Sequence, residues 1–172
     1  VDEIVIVIAP ETGDEIREAV GDGAAFGARV AYVEQEAPLG LAHAVLTAED
    51  FLGDSSFVMY LGDNLLRDGI SALVDEFRTT APDAMILLQP VDQPQHYGVA
   101  ELTDGRVTRL VEKPPEPRSN LALVGVYMFT AGIHDAARAI EPSARGELEI
   151  TDAIQYLVDQ GRRVEPHVVQ GW

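Results

Sequence analysis

The stretch Phe57-Val-Met-Tyr-Leu-Gly-Asp-Asn64 sets a short apolar run directly against a glycine and an acidic residue. A run that brief, without polar alternation, predicts a strand over Phe57–Leu61 covered on both faces, and such strands belong to parallel sheets flanked by helices. Upstream, Ile4–Ala9 is a β-branched run of the same kind. After Pro10 and Gly13, helical spacing over Asp14–Val20 is ended by Gly21 and Gly23. Arg29–Glu34 reads as the second strand. Gly40–Leu52 reads as one helix whose Leu41, Ala44, Val45, Ala48 and Leu52 form a single apolar stripe. Downstream come a helix over Gly69–Arg78, with Ile70, Leu73, Val74 and Phe77 three and four residues apart, and a strand over Ala84–Leu88. Alternation of strand and helix predicts an α/β fold of three layers around a doubly wound, Rossmann-like sheet, mostly parallel but mixed.

The rhythm then changes. Tyr97–Leu102 and Arg106–Glu112 are short strands around Thr103-Asp104-Gly105, whose Asp-Gly pair suits the positive backbone angles of a tight hairpin, so an antiparallel insertion is expected. Pro114-Pro-Glu-Pro117 is a stiff connector. Leu121–Thr130 returns as a long strand, Gly132–Ile140 and Glu149–Asp159 read as helices, and Val164–Trp172 as a last strand. Both ends fall inside apolar segments without caps, which predicts one domain over 1–172 truncated at each end.

With 47% hydrophobic and 24% charged residues, the 172-residue chain has the apolar surface to build a core. Its net charge of −17 repels the phosphates of nucleic acid and the anionic face of a membrane, so neither is an expected partner. No apolar run approaches the roughly 20 residues of a membrane span, and the start lacks the basic residues of a signal peptide. A cytoplasmic location is expected. Zero cysteines exclude disulfides and thiolate sites. His43, His96, His134 and His167 do not stand at metal-ligand spacing. Eleven of the twelve cations are arginine, and Lys113 is the one lysine. A genome bias against lysine codons is one explanation of that composition, and adaptation to high salt, where an acidic surface tolerates screening, is the alternative.

Four segments combine residue types that can carry chemistry. Leu61-Gly-Asp-Asn64 places Asp63 past the C-terminal end of a buried strand, the edge where open α/β sheets collect ligands, and a carboxylate there suits Mg²⁺ carrying phosphates. Glu112-Lys113-Pro114 puts the lone ammonium at the end of a hairpin strand, where it can hold a phosphate. Glu34-Gln-Glu-Ala-Pro-Leu-Gly-Leu-Ala42 leads from a strand through a loop into a helix, with backbone N–H groups for an anion and Gln35 offering both donor and acceptor. Arg145-Gly-Glu-Leu-Glu-Ile-Thr-Asp152 precedes a helix, with Arg145 able to grip a phosphate bidentately. Taken singly, an ordinary turn, a surface Glu–Lys pair, a common βα loop and a helix cap explain the same residues.

Taken in order, the segments resemble the sugar-1-phosphate nucleotidylyltransferase family, most closely its glucose-1-phosphate thymidylyltransferases. The residues carrying the resemblance are 35–42, 57–64, Tyr97-Gly-Val-Ala100, Val111-Glu-Lys-Pro114, Ser119-Asn120 with Val124-Gly-Val-Tyr127, and 145–152. It implies that a sugar-1-phosphate, glucose-1-phosphate in the closest case, attacks the α-phosphorus of a nucleoside triphosphate such as dTTP, forming a nucleotide sugar and releasing pyrophosphate. Mg²⁺ is the implied cofactor and Asp63 its ligand. By the same resemblance Lys113 and Arg145 hold the sugar phosphate, making Lys113, Asp63 and Arg145 the catalytic set. Gln35, Pro38 and Gly40 would form the pocket for the pyrimidine base and, with Leu41 and Gly62, the nucleotide site, and Tyr97, Gly98, Glu112 and Val124 would line the hexose. A homo-oligomer is also implied. The family's glycine-rich loop is absent before Val1, and the chain stops at Trp172, where the family supplies a second acidic ligand, so little turnover is expected of this chain alone. A uridylyl or other nucleotidylyl transferase of the same family, and a non-catalytic nucleotide-sugar-binding module, are the alternatives.

Overall fold

The computed structural model describes residues 2–169. Its elements run β1 (Glu3–Ile8), α1 (Gly13–Val20), β2 (Arg29–Glu34), α2 (Leu41–Thr47), α3 (Glu49–Leu52), β3 (Phe57–Tyr60), α4 (Ser71–Thr80), β4 (Ala84–Pro90), β5 (Gly98–Thr103), β6 (Arg106–Glu112), β7 (Leu121–Phe129), α5 (Gly132–Ala139), α6 (Ile150–Asp159) and β8 (Val164–Val168). None of the described helices is long and apolar enough to cross a membrane.

The larger sheet follows the order β6-β5-β7-β4-β8, with β3 pairing to β7 as well; β1 and β2 form a parallel pair of their own. Because β7 runs antiparallel to β3, β4 and β5 while β4 and β8 are parallel, strands β3, β4, β5 and β8 point one way and β7 and β6 the other. The expected mixed α/β sheet is therefore present. Its antiparallel share exceeds that of a hairpin insertion, because β7 passes between β3 and β4 through the middle of the sheet. The hairpin β5–β6 turns at Asp104 and Gly105, both at positive φ, as the Asp-Gly pair requires.

Alternation along β7 builds the three layers. Leu123, Tyr127 and Phe129 pack with Ile86 and Leu88 against α2, α5 and α6, whereas Val124, Val126 and Met128 pack with Met85 and Leu87 against Leu73 and Phe77 of α4. Burying Leu73 and Phe77 contributes roughly 1.5–3 kcal/mol each before ordering costs are counted.

Three local readings change. The helix expected over Gly40–Leu52 divides at Ala48 into α2 and α3, where the Thr47 hydroxyl donates to the His43 carbonyl at 2.9 Å, a side-chain bond that competes with the helix ladder. The helix expected over Gly69–Arg78 occupies Ser71–Thr80 and closes on Ala81 in the left-handed region. Strands β1 and β3, expected to be covered on both faces, are largely half-buried or exposed. Among the described residues β1 pairs with β2 and β3 with β7, and both border an apolar cavity of about 570 Å³ lined by Ile4, Val5, Phe57, Val58, Val74 and Phe77. The last strand ends at Val168; residues 170–172 of its expected span, and residue 1, lie outside the described residues.

Candidate functional site

A second cavity, about 390 Å³, gathers residues from six parts of the chain. Leu61, Asp63 and Asn64 reach it from beyond β3, Tyr97 and Gly98 from the start of β5, and Glu112 and Lys113 from the end of β6. Leu123, Gly125 and Tyr127 come from β7, and Arg145, Glu147, Glu149 and Thr151 from the entry to α6. Asp63 and Lys113, far apart in sequence, thus face one cleft, and Leu41 joins them. Of the residues singled out by sequence, Gln35, Pro38, Gly40, Gly62 and Val124 do not line this cavity. Pro38 and Gly62 are exposed on loops. Val124 needs correction as a lining side chain: it is fully buried in the core on the α4 side of β7. Its neighbours Leu123 and Gly125 face the cleft instead, as the two-residue period of a strand demands.

Charges in the cleft are tightly paired. Arg145 donates from Nη2 to both carboxylate oxygens of Glu149 at 2.9 Å and from Nε at 3.2 Å. The same guanidinium lies 3.3 Å from Glu147 and 3.6 Å from Glu112. Glu149 is buried, and Ser143 donates a further hydrogen bond to it at 2.7 Å. The hydrogen bond to Glu149, followed by the nearby carboxylates, raises the pKa of Arg145 above its ordinary value. Glu112 links the groups: its Oε2 accepts from the Thr151 hydroxyl at 2.6 Å, and its Oε1 stands 3.9 Å from the Lys113 ammonium. Burial first, and then Glu149 and Glu112, raise Asp152 above the usual carboxylate range. Burial, and then Glu112, likewise push the Tyr127 phenol upward, so it stays neutral.

Asp63 is set by its neighbour. The Asn64 amide donates to Asp63 Oδ1 at 2.8 Å while its own oxygen accepts from the Gly125 N–H at 3.1 Å. A Cβ on residue 125 would lie 2.5 Å from that amide nitrogen, so glycine is what admits Asn64 against β7. Asn64, Gly125, Thr151 and Glu149 lie within the segments that carry the site, but residue type alone assigns them no role. Their signal is their place beside Asp63, Val124 and Arg145.

The loop from Gln35 to Leu41 is stitched to the strand of chain that carries Arg145. Leu148 N donates to Leu39 O at 2.7 Å and Ala42 N to Leu148 O at 3.0 Å. Gly40 has φ +100°, and a Cβ there would fall 2.4 Å from the Leu148 carbonyl, so only glycine fits. Gln35 Nε2 donates to the Gly40 carbonyl at 3.1 Å. Gln35 and Gly40 therefore stand behind Leu41, at the flank of the cleft.

The family model described as "Nucleotidyl transferase" matches residues 1–172. The chain belongs to the nucleotidyl transferase family. This nucleotidyl transferase chain is 53% identical over 167 residues to a glucose-1-phosphate thymidylyltransferase of Streptomyces griseus, covering 96% of the chain and 47% of the relative. It is 49% identical over 171 residues to the low-salt glycan biosynthesis nucleotidyltransferase Agl11 of Haloferax volcanii, covering 99% of the chain and 48% of the relative. The chain thus spans about half the length of the curated relatives it matches. A Bacillus anthracis structure assigned as a glucose-1-phosphate thymidylyltransferase, in complex with sucrose, superposes with a TM-score of 0.90 at 35% identity, over 98% of this chain and 68% of that one. The α/β fold of this nucleotidyl transferase chain, with its mixed sheet, is thus shared with that structure.

Proposed function

We propose that this nucleotidyl transferase chain belongs to an enzyme joining dTMP, from dTTP, to glucose-1-phosphate. The observation that carries the reading is the convergence of Asp63, Lys113, Glu112 and Arg145 on one cleft, in a chain similar to proteins named for that reaction. A phosphate oxygen of the sugar phosphate attacks the α-phosphorus of the triphosphate, the bond to the bridging oxygen breaks, and pyrophosphate leaves. A phosphate dianion is already nucleophilic, so no side chain has to remove a proton. The protein's work is to hold two repelling polyanions in line and to neutralise them.

Lys113 and Arg145 supply the positive charge. Arg145 is held by three carboxylates and keeps a fixed place at the cleft wall; Lys113, whose ion pair with Glu112 spans 3.9 Å, is the more readily turned toward a phosphate. Glu112 faces the cleft beside Tyr97 and Gly98 and offers acceptors for sugar hydroxyls. Among the described residues no cluster of three or more His, Cys, Asp or Glu side chains could cage a metal. Asp63 alone fits the way Mg²⁺ binds through one carboxylate and substrate phosphates. When bound there, Mg²⁺ supplies charge neutralisation on the triphosphate.

The test is pyrophosphate release by the full-length protein carrying this chain, given dTTP, glucose-1-phosphate and Mg²⁺. Lys113→Ala is expected to lower kcat/KM by about 10²–10³-fold, chiefly through the sugar phosphate. Wild-type kinetics in that variant would overturn the assignment of Lys113. UTP in place of dTTP measures the uridylyl alternative.

A further inference from the structure

The loop that flanks the cleft holds one amide whose orientation is over-determined. Gln35 Nε2 lies 3.1 Å from the Gly40 carbonyl and 2.9 Å from His43 Nδ1. A carbonyl oxygen only accepts, so the atom beside Gly40 is the amide nitrogen and not its oxygen. The Thr47 hydroxyl spends its hydrogen on the His43 carbonyl at 2.9 Å and has none left for Nδ1, 3.3 Å away. A proton on Nδ1 could be accepted only by the Thr47 oxygen, at the longer 3.3 Å, and would meet the Gln35 amide hydrogens head on at 2.9 Å. Nδ1 therefore accepts from Gln35, and the ring proton sits on Nε2. Both N–H groups of Gln35 are thereby used, one by Gly40 and one by His43, leaving Oε1 as the only group this side chain can offer a ligand.

We propose that His43 is a positioning residue for nucleobase choice: by accepting from the Gln35 amide it fixes Gln35 as a hydrogen-bond acceptor, which selects pyrimidines with an imide N3–H. The inference rests on the reading of residues 35–41 as the loop that receives the base. Thymine and uracil present N3–H to an acceptor. Cytosine presents a lone pair at the same atom, and two acceptors facing each other in a half-buried site leave both unsatisfied, the arrangement that gives strong discrimination. The 5-methyl group plays no part, so His43 separates dTTP and UTP from CTP and does not separate dTTP from UTP.

The experiment compares kcat/KM for dTTP, UTP and CTP in the full-length protein carrying this chain, for wild type, His43→Phe and His43→Gln. Phenylalanine keeps a ring and removes the acceptor; glutamine restores a side-chain oxygen that can accept from Gln35. The expected result is a fall of at least about tenfold in the dTTP-to-CTP ratio for His43→Phe, an unchanged dTTP-to-UTP ratio, and recovery of discrimination in His43→Gln. An unchanged dTTP-to-CTP ratio in His43→Phe overturns the proposal, as does equal loss in His43→Gln. Nitrogen-15 NMR of the wild-type imidazole reads the same point without any variant: the Nε2–H tautomer is expected, and the Nδ1–H tautomer overturns it. A wild type that releases pyrophosphate equally well with CTP overturns this inference and leaves the transferase reading standing. A wild type inactive with all three triphosphates overturns the transferase reading, and this inference falls with it.

Discussion

Lys113 combines two features that rarely meet. It is the chain's one lysine, and its backbone sits at φ +40°, in the left-handed region that side chains with a Cβ occupy at a cost of about 1–3 kcal/mol. The following Pro114 restricts it further. What holds the turn is the Lys113 N–H donating to the Tyr97 carbonyl at 3.0 Å, which pins the end of β6 beside the start of β5. The ammonium thus leaves the hairpin at an angle a regular strand would not give. Both Lys113→Gly and Lys113→Ala remove the charge, but only glycine relieves the backbone. Lys113→Gly is expected to be more stable than Lys113→Ala by about 1 kcal/mol, or about 2–4 °C in Tm, with activity lowered in both. Thermal denaturation of the two variants checks this. The position of this lysine was legible from composition and from the proline after it. Its strain was not, because nothing in Glu112-Lys-Pro114 marks a positive φ the way glycine does.

At the scale of elements, β7 organises the molecule. Its alternate residues feed two cores, and the one small residue on its cleft face, Gly125, opens space for Asn64 and so for Asp63. Gly125→Ala would set a methyl 2.5 Å from the Asn64 amide, and Asn64 cannot retreat without losing Asp63 and the strand backbone. The variant is expected to lose about 1–3 kcal/mol of stability by overpacking, and to require more Mg²⁺ for half-maximal activity. A denaturant melt and a Mg²⁺ titration measure the two effects. Most strands and helices were legible from period and punctuation, and the Asp-Gly hairpin turn was placed to the residue. The direction of β7 was not legible, because a strand buried on both faces has the same apolar run whether its neighbours are parallel or antiparallel. Ionic partners such as Arg145 and Glu149 share a segment that could be read, but their bidentate contact depends on how the chain enters α6.

Across the whole molecule the dominant fact is charge. The net −17 resides mainly on exposed side chains, and inside the cleft three carboxylates gather around Arg145. Self-repulsion at that density opposes the compact state and is relieved by counterions. Tm is therefore expected to rise by several degrees between low and molar KCl, and a flat response in a melting series would assign the acidity to composition alone. The cleft was legible as a set of segments, while its contents were only partly so. Convergence follows from the sheet order, and the order of strands cannot be read from one strand at a time.

The pair β1–β2 carries one more consequence. Neither core cluster includes a residue of these two strands, and Ile8 is the one side chain of theirs that is fully buried. In the chain as described, native-state hydrogen exchange is expected to find these two strands less protected than β4 and β7. Yet β2 runs straight into Gln35, whose backbone N–H is held by Ile8 O at 2.9 Å and whose side chain is held from the far side by Gly40 and His43. If Gln35 receives the base as proposed, an arriving base would act as a clasp, tying this lightly packed pair to the loop beside Leu148, so that part of its affinity is converted into order.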